Sequence, residues 1–395
     1  MRIYYDSQSA KWYQTGLETV VTMGAEKKAI ALEMEGAGEE HASFEMRLNN
    51  NQIGPLIGIL TSRKPNGSIA GNIPLFIELQ KKLISLNGIS FIFTPEGVGV
   101  EVINGFTFVP VKNTWIKIKI PYPDLVYNRI PYRKSEQDVN CQQIFSTLRE
   151  KNIPFFNPGF IDKYDLYCLM KNHSYLKTHL PKTILANQKK GLFQFLRKHK
   201  SIYLKPAQSA KGKGIFRMKL GKNMRVKLEG IHTSEIYQTF YHFWEEWEKV
   251  FQEINYLAQE EIKSAHYDGN RFDFRILAHA ENDGYSVTGI GIRQSLEQEI
   301  TTHIPAGGRL LPYQLLQTEA HDQFIQTVVQ HTGKALSDQF GYFGEFSIDA
   351  GVSHSGHYYI YEVNSKPMSF DETEIEDRKI SRLCRLFLQL TNFNN

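Results

Sequence analysis

The stretch from Gly344 to Pro367, Gly-Glu-Phe-Ser-Ile-Asp-Ala-Gly-Val-Ser-His-Ser-Gly-His-Tyr-Tyr-Ile-Tyr-Glu-Val-Asn-Ser-Lys-Pro, constrains the fold of this chain more than any other. Phe346, Ile348 and Ala350 alternate with Glu345, Ser347 and Asp349, and Val-Ser-His-Ser-Gly supplies turn residues, so the stretch reads as a β-hairpin. The alternation of the return strand puts Ile360, Glu362 and Asn364 on one face. With a turn centred on His354 and Ser355, Asp349 lies opposite Ile360 and diagonally from Glu362, about 7–8 Å away between backbones. Two carboxylates and an amide oxygen then converge. Converging carboxylates repel one another unless a cation sits between them, and hard oxygen ligands suit Mg²⁺. An edge hairpin with a solvated acidic face has the same pattern, so the rest of the chain has to decide.

The 395 residues are enough for two or three domains. A hydrophobic content of 41% fits a folded protein, and a formal charge of +4 suits an anionic ligand while being too small for a nucleic-acid binder. Cys141, Cys168 and Cys384 have no metal-ligand spacing, and their odd number gives no disulfide framework; a reducing, cytoplasmic setting is expected. The N-terminus lacks the apolar core of a signal peptide, and no run approaches the length of a membrane span, so no membrane partner is expected.

Residues 1–53 alternate short apolar segments with Gly and polar turns and read as a small β-rich module without chemistry of its own. From residue 54 to 155 the pattern is strand (Leu56–Leu60), helix (Pro74–Ile84), strand (Ile89–Phe93), a parallel α/β unit. A further strand ends at Asp124-Leu-Val-Tyr-Asn-Arg-Ile130. Arg129 and Arg133 lie just beyond it, where open α/β sheets bind ligands, or are plain surface arginines. From 156 to 395 the pattern becomes mixed α+β. Asp162 is placed to cap a helix whose first turn holds Lys163, an unfavourable place for a cation and so a hint of function. Lys205 ends the strand Ser201–Lys205 and is followed by a Gly/Ser/Lys loop, Pro206–Gly214, and another strand. Strand–loop–strand excludes Walker and dinucleotide fingerprints. It leaves either a loop that wraps phosphates or an ordinary flexible hairpin. Downstream, Arg271, Asp273 and Arg275 share one face of a strand, Arg293 lies on the next, and Gly307-Gly308 permit close backbone approach.

The ordered set Lys163, Lys205 with its glycine loop, Gln259-Glu-Glu-Ile262, Arg275, Arg293, Gly307-Gly308, Asp349 and Glu362-x-Asn364 resembles the ATP-grasp superfamily. With Asp124-Leu-Val-Tyr-Asn-Arg129 ahead of it, the chain is similar, more narrowly, to the YheC/YheD group of endospore coat-associated proteins. No single motif carries this; their common order does. The resemblance covers residues from about 54 to the C-terminus. It implies an ATP-grasp fold, two α+β subdomains clamping ATP, behind an α/β pre-ATP-grasp domain. It implies that Lys163 and Lys205 bind the α- and β-phosphates, and that the Gln208–Gly214 loop, with Ser209 and Gly212, closes over the triphosphate. Gln259, Glu260, Glu261 and Ile262 would hold adenine, through their backbone and the Glu260 side chain. Asp349, Glu362 and Asn364 would carry Mg²⁺, and Arg275 and Arg293 would stabilise a transferred phosphoryl or acylphosphate. The ribose-binding acid has no clear counterpart, Asp268 being the nearest guess. The implied activity is ATP-dependent carboxylate–amine or carboxylate–thiol ligation of small molecules, with other spore-coat proteins as further partners. The competing reading is a coat or scaffolding protein that keeps the fold and nucleotide binding without turnover.

Overall fold

The computed structural model describes residues 1–15, 19–33, 41–208, 214–296 and 307–394. Leu56–Leu60 is a fully buried strand running parallel to Ile89–Phe93 on one side and to Leu125–Asn128 on the other. An unbroken apolar run is what a strand covered on both faces needs. Between the first two strands runs helix Ile73–Ser85, opened by Asn72, whose side chain accepts from the Leu75 N–H, and by a proline in the first turn. The expected parallel α/β unit is present. The antiparallel pair Val102–Val109 and Thr114–Pro121 extends it at one edge and makes the six-stranded sheet mixed.

Residues up to Gly54 form two four-stranded sheets. They do not stand apart: Ile3, Tyr5, Trp12 and Phe44 share one apolar core with Phe91, Phe93, Ile118 and Ile120 of the α/β sheet. Trp12 Nε1 donates to the Lys119 carbonyl at 2.9 Å, and the Lys119 N–H donates to the Tyr5 hydroxyl at 3.0 Å. The module thereby covers part of an edge strand that would otherwise present unpaired backbone groups.

Two more sheets follow. The first has the order Thr183–Leu185, Tyr256–Glu260, Ser201–Pro206, Phe216–Leu220, Val226–Glu229, Ser234–Tyr237, every neighbour antiparallel. Ile202, Leu204, Met218 and Ala258 belong to a core with side chains of helices Lys189–His199 and Phe240–Glu253 that is separate from the others. The second sheet runs Gly308–Leu311, Gly284–Ser295, Asn270–Glu281, Glu345–Val352, Tyr358–Asn364 and is backed by helices Glu319–Phe340 and Thr373–Leu390. Phe274, Ile276, Phe346 and Ile348 on its apolar face are continuous with Leu75, Phe76 and Tyr127 of the α/β part.

Where these two parts meet, charge is buried. Glu345, wholly buried at the start of its strand, accepts from the Tyr127 hydroxyl and pairs with Arg129 Nη1 at 2.8 Å. Arg129 also donates to the Pro367 carbonyl and stacks on Tyr127. It is therefore a joint between domains, not a substrate-facing group, and the sequence reading that put it at the mouth of the α/β sheet is corrected. His279 Nδ1 lies 2.6 Å from Thr288 Oγ1, and its Nε2 lies 3.7 Å from Glu345 Oε2. Burial pushes the His279 pKa down to about 4, against the opposing pull of Glu345. The unfolded chain takes up that proton near pH 6.5, before the folded one does, so this residue's contribution to stability is lost as pH falls from about 6.5 to 4. Denaturant titrations of the parent and a His279→Gln variant are expected to show the parent losing up to about 3 kcal/mol relative to the variant across that window. Parallel pH profiles would remove His279 from the acid response.

Candidate functional site

The polar faces of the two antiparallel sheets look at one another. On the second sheet Asp349 pairs directly across from Glu362, and Ser347 across from Asn364. This differs from the diagonal pairing expected from the sequence. Ala350 pairs with Ile360, so Tyr361 is an extra, bulged residue, and the parity of the return strand flips at it. Ile360 consequently faces the core with Val363, while Glu362 and Asn364 face the cleft with Asp349. The bulge brings the carboxylates closer together than a regular ladder would. Tyr361 packs over Gly351, where a Cβ would come within 2.7 Å of its ring.

Asn364 Nδ2 donates to Asp349 Oδ2 at 3.3 Å. Burial, followed by the Glu362 and Asp273 charges, raises the Asp349 pKa above its ordinary value, although Arg275 and Arg293 oppose this. A divalent cation would relieve that condition, and turning the Asn364 amide over would present its oxygen too. The residues present therefore fit the magnesium the sequence implies: two carboxylates and an amide. Among the described residues no group of three or more His, Cys, Asp or Glu side chains could hold a metal.

Lys163 occupies the first position of helix Lys163–Lys171, capped by Asp162, whose side chain accepts from the Tyr164 N–H as the sequence predicts. Its backbone N–H donates to Ala207 at 3.2 Å, which ties the helix start to the end of the Lys205 strand. Its ammonium lies 3.2 Å from Glu362 Oε1. Lys205 reaches Gln259 Oε1 at 2.6 Å, and burial lowers its pKa to about 8 despite the pull of Glu362. The structure thus brings Lys163, Lys205, Gln259, Asp349, Glu362 and Asn364 to one cleft. Tyr203, on the Lys205 strand, accepts from Arg271 on the opposite sheet, so the two sheets touch.

Along the linker strand, alternation separates the side chains. Gln259 and Glu261 face Lys205 and Arg217, the latter 3.3 Å from Glu261 Oε1. Glu260 points the other way, accepting from the Lys182 N–H at 2.7 Å and lying 3.0 Å from His199 Nδ1. The Glu260 carboxylate is thus engaged away from Lys205 and Gln259, and its backbone N–H donates to the Lys182 carbonyl at 2.9 Å. Gln208 and Gly214 flank the Gly/Ser/Lys loop to which the resemblance assigns the phosphates; Ser209 and Gly212 lie outside the described residues, as do residues 301–306 ahead of Gly307. Asp268 sits in an exposed turn, 3.7 Å from Arg309.

Arg275 stands directly opposite Asp349, and Arg293 opposite Asp273. Both guanidinium groups lie over the Phe370 ring, at 5.3 and 5.9 Å. Arg293 is also held bidentately by Glu372, at 2.6 and 3.0 Å. Gly291 leaves room for that pair, since a Cβ there would meet Glu372 Oε1 at 2.4 Å. Sequence reasoning missed Phe370 and Glu372, which lie on no strand of the set. It also missed Ser347, wholly buried on the Asp349 face with no hydrogen-bond partner for its hydroxyl. Its place in the alternation with Asp349 was the available signal. Arg133 stacks on Phe160, donates to the Ile161 carbonyl at 2.5 Å and feels the Glu362 charge.

Two antiparallel sheets facing each other across a polar cleft, behind an α/β domain, define an ATP-grasp protein. The model of the YheC/D like ATP-grasp family matches residues 152–393, and the chain belongs to that family. It is 26% identical over 339 residues to the endospore coat-associated protein YheD of Bacillus subtilis, covering 80% of this chain and 73% of YheD. To YheC of the same organism it is 23% identical over 295 residues, 71% and 81% of the two chains. Among solved structures, D-alanyl-alanine synthetase A from Vibrio cholerae shares the fold at a TM-score of 0.52 and 15% identity, over 86% of this chain and 99% of that one.

Proposed function

We propose that this protein binds MgATP and uses it to join a small-molecule carboxylate to an amine or thiol, in association with the endospore coat. One observation supports this above the rest: Asp349, Glu362 and Asn364 meet Lys163 and Lys205 across a single cleft. Fixed cations facing a cation-ready acidic patch are the arrangement a metal-bound polyphosphate requires. Asp349, Glu362 and Asn364 would hold the magnesium, which supplies charge neutralisation at the phosphates. Lys163 and Lys205 would bind the α- and β-phosphates, the backbone of 259–262 the adenine, and the Gln208–Gly214 loop would cover the triphosphate. Arg275 and Arg293 would face the negative charge that develops on the phosphoryl group and the acylphosphate formed from the substrate carboxylate.

Glu362→Gln is expected to keep the fold and weaken MgATP binding by roughly tenfold or more, about 1.4 kcal/mol, read by calorimetry. Unchanged affinity would take Glu362 out of the site. A second reading, a coat scaffold that binds nucleotide without turning it over, draws on the bidentate grip of Glu372 on Arg293, which would then serve to fasten the 370–372 segment to the sheet. ATP consumption with a mixed pool of amino acids separates the two.

A further inference from the structure

On the far side of the Thr183–Leu185 edge strand from the Ser201–Pro206 strand, a cavity of about 570 Å³ opens between helix Lys163–Lys171, the turn Leu176–His179 and helix Lys189–His199. Lys171, Lys177, Lys182 and Lys198 rim it, with His199 beside them and Tyr167 and Phe195 as apolar walls. Among the described residues the one carboxylate bonded at its wall, Glu260, is taken up by His199 and the Lys182 N–H. Surface lysines ordinarily sit among carboxylates, and elsewhere on this same sheet they do: Arg217, Lys219 and Lys227 all share Glu229. Among the described residues none of the four rim lysines forms an ion pair with a carboxylate. Four like charges gathered around one concavity repel each other and focus a positive potential into it.

This cavity is not the nucleotide cleft. Lys205 and Gln259 face the cleft, whereas Glu260, the neighbour of Gln259, turns its carboxylate to His199 and the Lys182 N–H at the cavity wall. The geometry points to a second site, on the outer flank of this subdomain, that takes a compact polyanion, its charges met by the four lysines and its body held against Tyr167 and Phe195. Lysines bind phosphate groups as point charges and tolerate varied geometry, which suits a short polyphosphate or a polycarboxylate in a space of this size. His199 joins the site to Glu260 on the strand that leads into the 259–262 linker. Binding at the cavity does not depend on the nucleotide reading of the cleft.

Calorimetric titration of the full chain with inorganic tripolyphosphate, without magnesium and at low ionic strength, tests the site. The comparison is with Lys177→Glu/Lys198→Glu protein, whose substitutions lie on exposed side chains. Two sites are expected in the parent and one, the cleft, in the variant, with MgAMPPNP affinity the same in both. The lost site should weaken at least tenfold in raised salt, as screened charge pairs do. If the cleft takes no metal-free tripolyphosphate, the parent shows one site and the variant none, and the second site stands; the nucleotide reading fails only if MgAMPPNP binds neither protein. Citrate in place of tripolyphosphate distinguishes a polycarboxylate site from a phosphate site, either of which supports a polyanion. Equal stoichiometry and affinity in parent and variant overturns the proposal.

Discussion

Replacing Arg293 with Met is expected to lower substrate-stimulated ATP turnover by roughly a hundredfold or more while leaving MgATP affinity near normal, the scale of losing one preorganised charge donor aimed at the reacting group. The guanidinium is nearly buried, lies over Phe370 and is directed by two bonds from Glu372. A group fixed so firmly costs no reorganisation when charge appears in front of it, and that is where an electrostatic catalyst gains over solvent. The same pair could serve only to fasten the 370–372 segment to the sheet, and Glu372→Gln separates these roles. If the pair is a fastener, Arg293→Met and Glu372→Gln should destabilise the protein alike and leave turnover per folded molecule intact. If Arg293 acts on the phosphoryl group, its loss should dominate the rate, with Glu372→Gln showing a smaller effect through misdirection. Turnover in Arg293→Met equal to the parent would remove the catalytic assignment.

Glu345→Ala should produce the largest loss of stability of any single change at the domain joint, about 3–5 kcal/mol. Glu345 is wholly buried against Arg129, Lys379, His279 and the Tyr127 hydroxyl. Burial alone would raise its pKa, yet Arg129, Lys379 and the hydrogen bond from Tyr127 outweigh that and hold it below the ordinary value. The carboxylate is therefore charged, and removing it leaves Arg129 and Lys379 without that counterion in the interior, Lys379 keeping, among the described residues, an ion pair with Glu376 at 3.5 Å. Uncompensated buried charge, more than the lost attraction, sets the cost. A fall in urea midpoint at unchanged slope would report it. A loss below about 1 kcal/mol, the worth of an exposed pair, would show that water reaches the cluster and that the joint is not held by charge.

What could be read from the sequence was local. The Asp162 cap, the strand carrying Lys205, the alternation of Arg271, Asp273 and Arg275, and the parallel α/β unit all depend on neighbours within a few residues, and the structure contains each of them, the Lys205 strand running one residue further to Pro206. The bulge at Tyr361 was not legible, because a one-residue register shift depends on how the Tyr361 ring packs over Gly351 and against Ser264, not on the hydrophobic pattern. Arg129 was misjudged for a related reason. Its partner Glu345 is more than two hundred positions away, and periodicity carries no information about such pairs. Phe370 and Glu372 escaped notice because they lie in the segment between the last strand and the last helix, where no alternation exists to flag them.

The separate core of the subdomain spanning residues 183–260 has a mechanical meaning. Its entry strand, Thr183–Leu185, and its exit strand, Tyr256–Glu260, are hydrogen-bonded side by side. The chain therefore enters and leaves this unit through one narrow seam, while the segments before and after it share the other large core. A body whose chain crosses at a single seam can swing with dihedral changes confined to the few residues flanking it, here around Leu180–Lys182 and Glu261–Lys263, once the Lys163–Ala207 and Tyr203–Arg271 contacts part, without disturbing either interior. Lys205 travels with the swinging body, whereas Lys163, Asp349 and Glu362 stay with the other. The distance between these charges is therefore the coordinate along which the cleft would open and shut.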